Sequence, residues 1–330
     1  MKETTPAIAL HDVSKTFTFK THSGLKGFLK PDKKEVRAVH NVSLTVKRGE
    51  AIAFIGPNGA GKSTTIKMLS GILQPTSGKI RVLGYEPLKQ RRELAMHIGT
   101  VFGQRSQLVF NLPLTDSFRL TAEMYAVPRQ VADERIQELI QQFDLSAFIS
   151  QPVRKLSLGQ RMRAEVANAL IHNPAIIFLD EPTIGLDIVA KRSLRETIKK
   201  VNKERGTTIF LTSHDVGDIE EVCERTMIVN HGQIVLNAKT ADLKKEYLKN
   251  KTVSVVPTNT EKKDCVVAGI TGRLCDGRVV FDVDTSKVVL KKFLTQLLDV
   301  MDIADVTIED MPLEDIIHEL YTESADHGRK

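Results

Sequence analysis

Apolar and polar positions alternate over residues 7–19 and 36–47, which predicts two strands. The segment between them carries Gly24, Gly27 and Pro31 and reads as a long loop. Ala51-Ile52-Ala53-Phe54-Ile55 is apolar throughout and predicts a buried strand, and the stretch from Ser63 to Leu69 predicts a helix. A turn at residues 75–78 leads into a strand at 79–83, and residues from about 113 to 172 are mostly helical in pattern. Strands and helices then alternate: a strand at 176–179, a basic helix at 189–204 stopped by Gly206, a strand at 208–211 and a helix at 215–225. A hairpin follows from Ile228 to Asn237, turning at His231-Gly232. Such alternation predicts an α/β fold around a mostly parallel sheet.

A second unit starts near Asn250. Residues 252–256, 278–283 and 306–308 read as strands. Leu290, Phe293, Leu294, Leu297, Leu298 and Met301 fall on one face of a helix, and a last helix is expected from Leu313 to Tyr321. The pattern is that of a small α+β domain.

Composition bears on class more than on fold. No apolar run in the 330 residues approaches the roughly 20 needed to cross a bilayer. The N-terminal residues lack the apolar core of a secretion signal. Cys223, Cys265 and Cys275 have no metal-ligand spacing and read as reduced thiols. The net charge of +6 is uneven: from Lys15 to Arg37 there are seven basic residues and two acids, whereas the chain from Asp302 to Asp326 is acidic. A solvated loop is the plain reading of the basic stretch, with contact to anionic lipid headgroups a minor one.

The chemistry is concentrated in five places. Gly56-Pro57-Asn58-Gly59-Ala60-Gly61-Lys62-Ser63 satisfies G-x-x-x-x-G-K-[ST] between a predicted strand and a predicted helix that opens at Ser63-Thr64. That is the context of a phosphate-binding loop, where backbone N–H groups and the helix dipole cradle phosphate. Lys62 then reaches the β- and γ-phosphates, and the Ser63 hydroxyl ligates Mg²⁺. Downstream, the strand at 176–179 ends in Asp180-Glu181, placing one carboxylate to hold the metal shell and the next to meet an attacking water. Between them lies Leu156-Ser157-Leu158-Gly159-Gln160, with Ser157 suited to cap a helix. Gly185-Leu186-Asp187 and Thr212-Ser213-His214-Asp215 complete the set.

Over residues 7–240 this order resembles the ATP-binding subunit of an ABC transporter: Walker A, an LSGGQ-like signature, Walker B, D-loop and switch histidine. Leu158 departs from the glycine usual in the signature. The resemblance implies a P-loop ATPase domain over 1–249 with an antiparallel β subdomain and a helical subdomain at about 105–172, and an accessory α+β domain over 250–330. It implies ATP and Mg²⁺ as cofactors, with Glu181 as general base, His214 on the γ-phosphate, and Ser63, Asp180 and a glutamine around the metal. Gln104 is the preferred glutamine and Gln107 the alternative; the aromatic stacking on adenine matches Phe17, with Phe19 behind it. Thr64 and the backbone of residues 56–63 hold the phosphates.

In the family each site is closed by a second cassette, so Ser157, Gly159, Gln160 and Asp187 serve the facing nucleotide. The implied partners are that second subunit, identical or sister, and separate membrane permease subunits received near Leu108-Val109-Phe110, whose side chains are nevertheless expected mainly in the core. The implied place is the cytoplasmic face of the membrane, peripherally bound. The tail at 306–317 and the segment 102–108 resemble those of multisubunit exporters of drugs, lipids or glycans. A soluble ABC protein acting on ribosomes or DNA is the rival reading. It normally carries two cassettes or a long coiled-coil insertion, neither of which occurs here, so no nucleic-acid partner is expected.

Overall fold

The computed structural model describes residues 5–21, 32–103, 106–213, 215–247, 250–258, 266–275, 277–285 and 287–310. The chain divides into two compact units, Met1–Thr240 and Ala241–Lys330. The division falls ahead of the 249/250 boundary read from the sequence.

In the first unit, β1 (Ile8–Thr21) and β2 (Asp32–Val46) precede β3 (Ala51–Ile55), α1 (Lys62–Leu69), β4 (Ser77–Val82), α2 (Arg91–Ala95) and β5 (Ile98–Phe102). Three helices follow, α3 (Leu114–Met124), α4 (Arg129–Gln142) and α5 (Leu158–Ala169). The chain then alternates β6 (Ile176–Asp180), α6 (Ile188–Arg205), β7 (Thr208–Thr212), α7 (Val216–Val222), β8 (Arg225–Asn230) and β9 (Gln233–Lys239). The central sheet runs β5-β6-β7-β3-β8-β9, parallel except for β9. Its inner strands are mostly apolar in their middles because both faces are covered; all five residues of β3 are apolar and buried. At the edge, β9 alternates between exposed and half-buried positions. A second, antiparallel sheet runs β2-β1-β4. Ile66, Met68 and Leu69 of α1 pack in one apolar core with residues of both sheets, among them Leu10, Val39, Phe54 and Phe178. Each such side chain contributes about 1.5–3 kcal/mol by leaving water.

Local chemistry explains most boundaries. Gly206, in the left-handed region at φ 64°, ends α6, and His231-Gly232, at φ 47° and 78°, turns the β8–β9 hairpin. Four expectations shift. β2 begins at Asp32, inside the segment read as a long loop, because residues 32–35 pair with 18–21 of β1. Ser77 and Gly78, read as turn, begin β4 because Ser77 pairs with Ser14. The helix expected to reach residue 225 ends at Val222, and Arg225 instead opens β8, where its guanidinium bonds Glu50 and the Thr45 carbonyl. Of the apolar trio at 108–110, only Leu108 is buried; Val109 and Phe110 are exposed, with the Arg161 guanidinium 5.7 Å from the centre of the Phe110 ring.

The second unit holds α8 (Thr240–Tyr247, its first residue belonging to the first unit), β10 (Asn250–Pro257), β11 (Val266–Val267), β12 (Ile270–Thr271) and β13 (Arg273–Cys275). It continues through β14 (Arg278–Asp284), α9 (Leu290–Val300) and β15 (Ile303–Asp310). Four strands form an antiparallel sheet, β13-β14-β10-β15, and β11 pairs with β12. Phe293 and Leu297 of α9 pack on Val253, Val279 and Phe281 of the sheet. Cys223 is a buried free thiol and Cys275 an exposed one. Cys265, the helix expected at 313–321 and most of the basic segment after Phe19 lie outside the described residues.

One half-buried histidine makes the first unit sensitive to acid. The His172 ring stacks on Tyr125 with centroids 3.8 Å apart, and Nε2 donates to the Ile98 carbonyl at 3.0 Å. Burial, against that hydrogen bond and with help from Arg135 and His97, pulls its pKa from 6.5 to about 4. The unfolded chain therefore binds the extra proton first. Stability is complete above pH 6.5 and falls as the pH is lowered toward 4, by roughly 3 kcal/mol from this group. His172→Phe keeps the stack and removes the titration. Urea unfolding at pH 7, 6, 5 and 4 is expected to show a shallower loss of stability in this variant than in the parent.

Candidate nucleotide site

The loop between β3 and α1 is shaped by what its glycines approach. A Cβ on Gly56 would lie 2.3 Å from the Val229 carbonyl oxygen, and one on Gly61 would lie 2.3 Å from that of Ala38. Gly61 also holds φ at 101° and caps α1. The backbone thus folds tightly against β2 and β8, where no side chain fits. Gly59, at φ 85°, faces open space.

The loop forms one wall of a cleft of about 680 Å³ at the carboxyl ends of the strands, where ligands sit in open parallel sheets. Pro57, Asn58, Gly59, Ala60, Gly61, Lys62, Ser63 and Thr64 all line it, opposite Asp180 and Glu181. Lys62 is buried, and its Nζ donates to the carbonyl oxygens of Gly56 at 2.5 Å and Pro57 at 3.3 Å. Burial lowers the pKa of its ammonium, while the charges of Glu181 and Asp180 act to raise it. A cation held among acceptors at a helix N-terminus is a place for phosphate.

The register of the sheet delivers the acids. Phe102, Asp180 and Thr212 stand side by side on β5, β6 and β7. Asp180 Oδ1 accepts from Ser63 Oγ at 3.2 Å and from Thr212 Oγ1 at 2.6 Å. Hydroxyl and carboxylate side by side are the hard oxygen donors that suit Mg²⁺. Glu181 follows with φ 55°, a left-handed conformation that costs a non-glycine residue about 1–2 kcal/mol. Its N–H bonds to the Thr212 carbonyl at 3.0 Å and approaches Thr212 Oγ1 at 3.2 Å, which breaks the strand and sets the carboxylate in the cleft wall. Strain of this kind at the end of a core strand marks a position held for use.

The remaining candidates lie elsewhere. Ser157 caps α5 in a reciprocal box: Gln160 N–H donates to Ser157 Oγ at 3.2 Å, and Ser157 N–H to Gln160 Oε1 at 2.9 Å. Asp187 caps α6, accepting from the Ala190 N–H at 2.8 Å. Ser157 and Asp187 are exposed, Gly159 and Gln160 half-buried, and none of the four lines the cleft. Leu158 turns toward the D-loop, with Cδ2 2.9 Å from where a Cβ on Gly185 would stand, so its side chain fills the space that glycine leaves. Phe17 is half-buried on β1, opposite Val36 and with Lys15 Nζ 5.1 Å over its ring. The residue of that sheet that lines the cleft is Ala38. Gln107 turns back onto β5, its amide donating to the Thr100 carbonyl at 2.8 Å. Gln104 and His214 lie outside the described residues.

Two buried carboxylates escaped the sequence reading. Glu165 of α5 accepts from the Ser106 hydroxyl and, at 3.1 Å, from the Gln107 N–H; burial pushes its carboxyl up. Asp218 of α7 gathers bonds from three segments. Both sit in helices whose charge pattern looks solvated, and no motif flags them.

Known proteins share this arrangement. A family model described as ABC transporter matches residues 39–184. The chain is 34% identical over 203 residues to the ABC transporter ATP-binding protein NatA of Bacillus subtilis (strain 168), covering 62% of this chain and 82% of the relative. It is 33% identical over 209 residues to the bacitracin transport ATP-binding protein BcrA of Bacillus licheniformis, covering 63% and 67%. Among solved structures, the dimeric post-hydrolysis state of the ATP-binding cassette MJ0796, bound to ADP and Pi, matches with a TM-score of 0.60 at 27% identity. That match covers 70% of this chain and 98% of the other. With the phosphate loop, the paired acids and the strand order, these likenesses show that the chain belongs to the ABC transporter ATP-binding proteins, the ATP-hydrolysing subunits that power transport.

Proposed function

We propose that ATP lies with its phosphates against residues 56–64, that Lys62 reaches the β- and γ-phosphates, and that Ser63 and Asp180 hold Mg²⁺ with Gln104. The observation that carries this reading is the 3.2 Å contact of Ser63 with Asp180, beside the buried Lys62. Bound there, Mg²⁺ supplies positive charge to the β- and γ-phosphate oxygens. Glu181 takes a proton from the attacking water as the water oxygen bonds to the γ-phosphorus. The bond to the bridging oxygen then breaks, leaving ADP and inorganic phosphate. His214 steadies the γ-phosphate, and Phe17 is the side chain assigned to adenine.

A second chain is assigned to close the cleft over the nucleotide. Ser157, Gly159, Gln160 and Asp187 lie off the cleft, which supports a head-to-tail pair in which each chain closes its partner's nucleotide. No described helix is long and apolar enough to cross a membrane. The transport relatives support a reading with separate permease subunits and a peripheral place on the cytoplasmic face of the membrane. Val109 and Phe110, exposed in the helical subdomain at 105–172, suit contact with such a subunit. The cassette is assigned to 1–249 and the accessory domain to 250–330. The likeness of 102–108 and 306–317 to exporter cassettes favours outward transport, and the transport relatives favour this over action on ribosomes or DNA.

Lys62→Ala removes the cation at the phosphates and is expected to abolish ATP binding measured with a fluorescent analogue. Normal affinity would remove Lys62 from the site. Glu181→Gln is expected to bind ATP as tightly as the parent while phosphate release falls by ~10²–10⁴-fold, with nucleotide-bound dimers accumulating in gel filtration. Turnover near the parental rate would show that another group takes the proton.

A further inference from the structure

Thr183, Ser213 and Arg195 belong to three different segments and meet on a single carboxylate. Asp218 has a side chain only 1% exposed. Its Oδ2 accepts from Thr183 Oγ1 at 2.5 Å and from Ser213 Oγ at 2.6 Å, and its Oδ1 accepts from Arg195 Nε at 2.6 Å. Arg195 carries the network on, with Nη2 2.6 Å from Asp215 Oδ1 and Nη1 3.2 Å from Glu221 Oε1. Lys191 Nζ donates to Asp215 Oδ2 at 2.6 Å, and the Asp215 N–H donates to Ser213 Oγ at 2.9 Å. Gly217 makes room for this: a Cβ there would stand 2.4 Å from Arg195 Nη1.

Several members of the network stand near residues with assigned roles. Thr183 is two residues past Glu181, Ser213 immediately precedes His214, and Lys191 and Arg195 lie on the first turns of α6, which Asp187 caps. A surface carboxylate in this place would hold nothing, because exposed ion pairs contribute little. Buried and paired on both oxygens, it fixes its partners, since leaving any of those groups unpaired in the dry interior is strongly unfavourable.

We propose that Asp218, paired with Arg195, is the positioning residue of the hydrolytic turn. It fixes the segment carrying Glu181 and the segment before residue 214 to α6, the helix that Asp187 caps, so that the closing of a second chain on Asp187 sets the water-activating carboxylate. This rests on the assignment of Glu181 as general base. Asp218 touches no reacting atom; it acts through Thr183 and Ser213. Breaking the tie leaves the phosphate loop intact and misplaces only the base, and a displacement of about 1 Å costs up to ~100-fold in rate.

The test is steady-state ATP hydrolysis by the full chain with its natural partners, comparing Thr183→Val, Thr183→Ser and Asp218→Asn. Thr183→Val preserves shape and removes one hydroxyl, so it is expected to fold where Asp218→Asn does not. The proposal expects kcat to fall ~10- to 100-fold in Thr183→Val. KM for ATP should stay near that of the parent, the variant should remain folded at the assay temperature, and Thr183→Ser should restore the rate. Asp218→Asn, where it folds, is expected to lower kcat in the same way, and adding Arg195→Gln to it is expected to lower kcat no further. Parental kcat in Thr183→Val overturns the proposal, as does an equal loss in Thr183→Ser, or a fall in unfolding temperature that accounts for the lost rate. Glu181→Gln, assayed alongside, separates the two readings. If it still turns over, the general-base assignment fails; if it is inert while Thr183→Val is unaffected, only the positioning role fails.

Discussion

The site depends on a meeting between two side chains 117 residues apart in sequence, the Ser63 hydroxyl and the Asp180 carboxylate at 3.2 Å. Neither segment could bring them together alone. Ser63 is placed by α1, which is held in the core by Ile66, Met68 and Leu69. Asp180 is placed by the parallel register of β6 against β5 and β7. Burial of apolar strands on both faces makes that register unforgiving, because a slip of one residue would turn every side chain to the other face. The precision of the polar end is thus a property of the apolar middle.

Much of this was legible in the residues themselves. The all-apolar β3, the apolar run at 176–179 of β6, the glycine pattern at 56–61 and the stops at Gly206 and His231-Gly232 are local signals, and the fold obeys them. The misreadings have tertiary causes. Ser77-Gly78 carries turn chemistry, but pairing of β4 with β1 draws Ser77 into a strand. Val109 and Phe110 are apolar enough for the core, yet among their sequence neighbours it is Leu108, Leu114 and Phe118 that are buried while these two stay exposed. Short strands such as β11 and β12, two residues each, leave too little periodicity to read.

Within the candidate site, the legible part was the part with a motif. Lys62, Ser63, Asp180 and Glu181 come from contiguous patterns, and the structure brings them to one cleft. Asp218 and Glu165 went unseen because their meaning is set by partners remote in the chain: Thr183 and Arg195 for one, Ser106 and Gln107 for the other. An acid in an amphipathic helix looks solvated until the neighbouring element is known. The left-handed Glu181 was equally invisible, since only the hydrogen bonds to Thr212 reveal why a glutamate accepts that backbone.

The tip of Leu158 rests where a side chain on Gly185 would begin, and Gly185 holds φ at 73°. A larger residue at 185 would have to push that flexible tip aside and also adopt a left-handed backbone, whereas the size of residue 158 meets no such bar. The two positions are therefore unequal: the signature is free to vary in bulk beside a D-loop turn that its own backbone keeps as glycine.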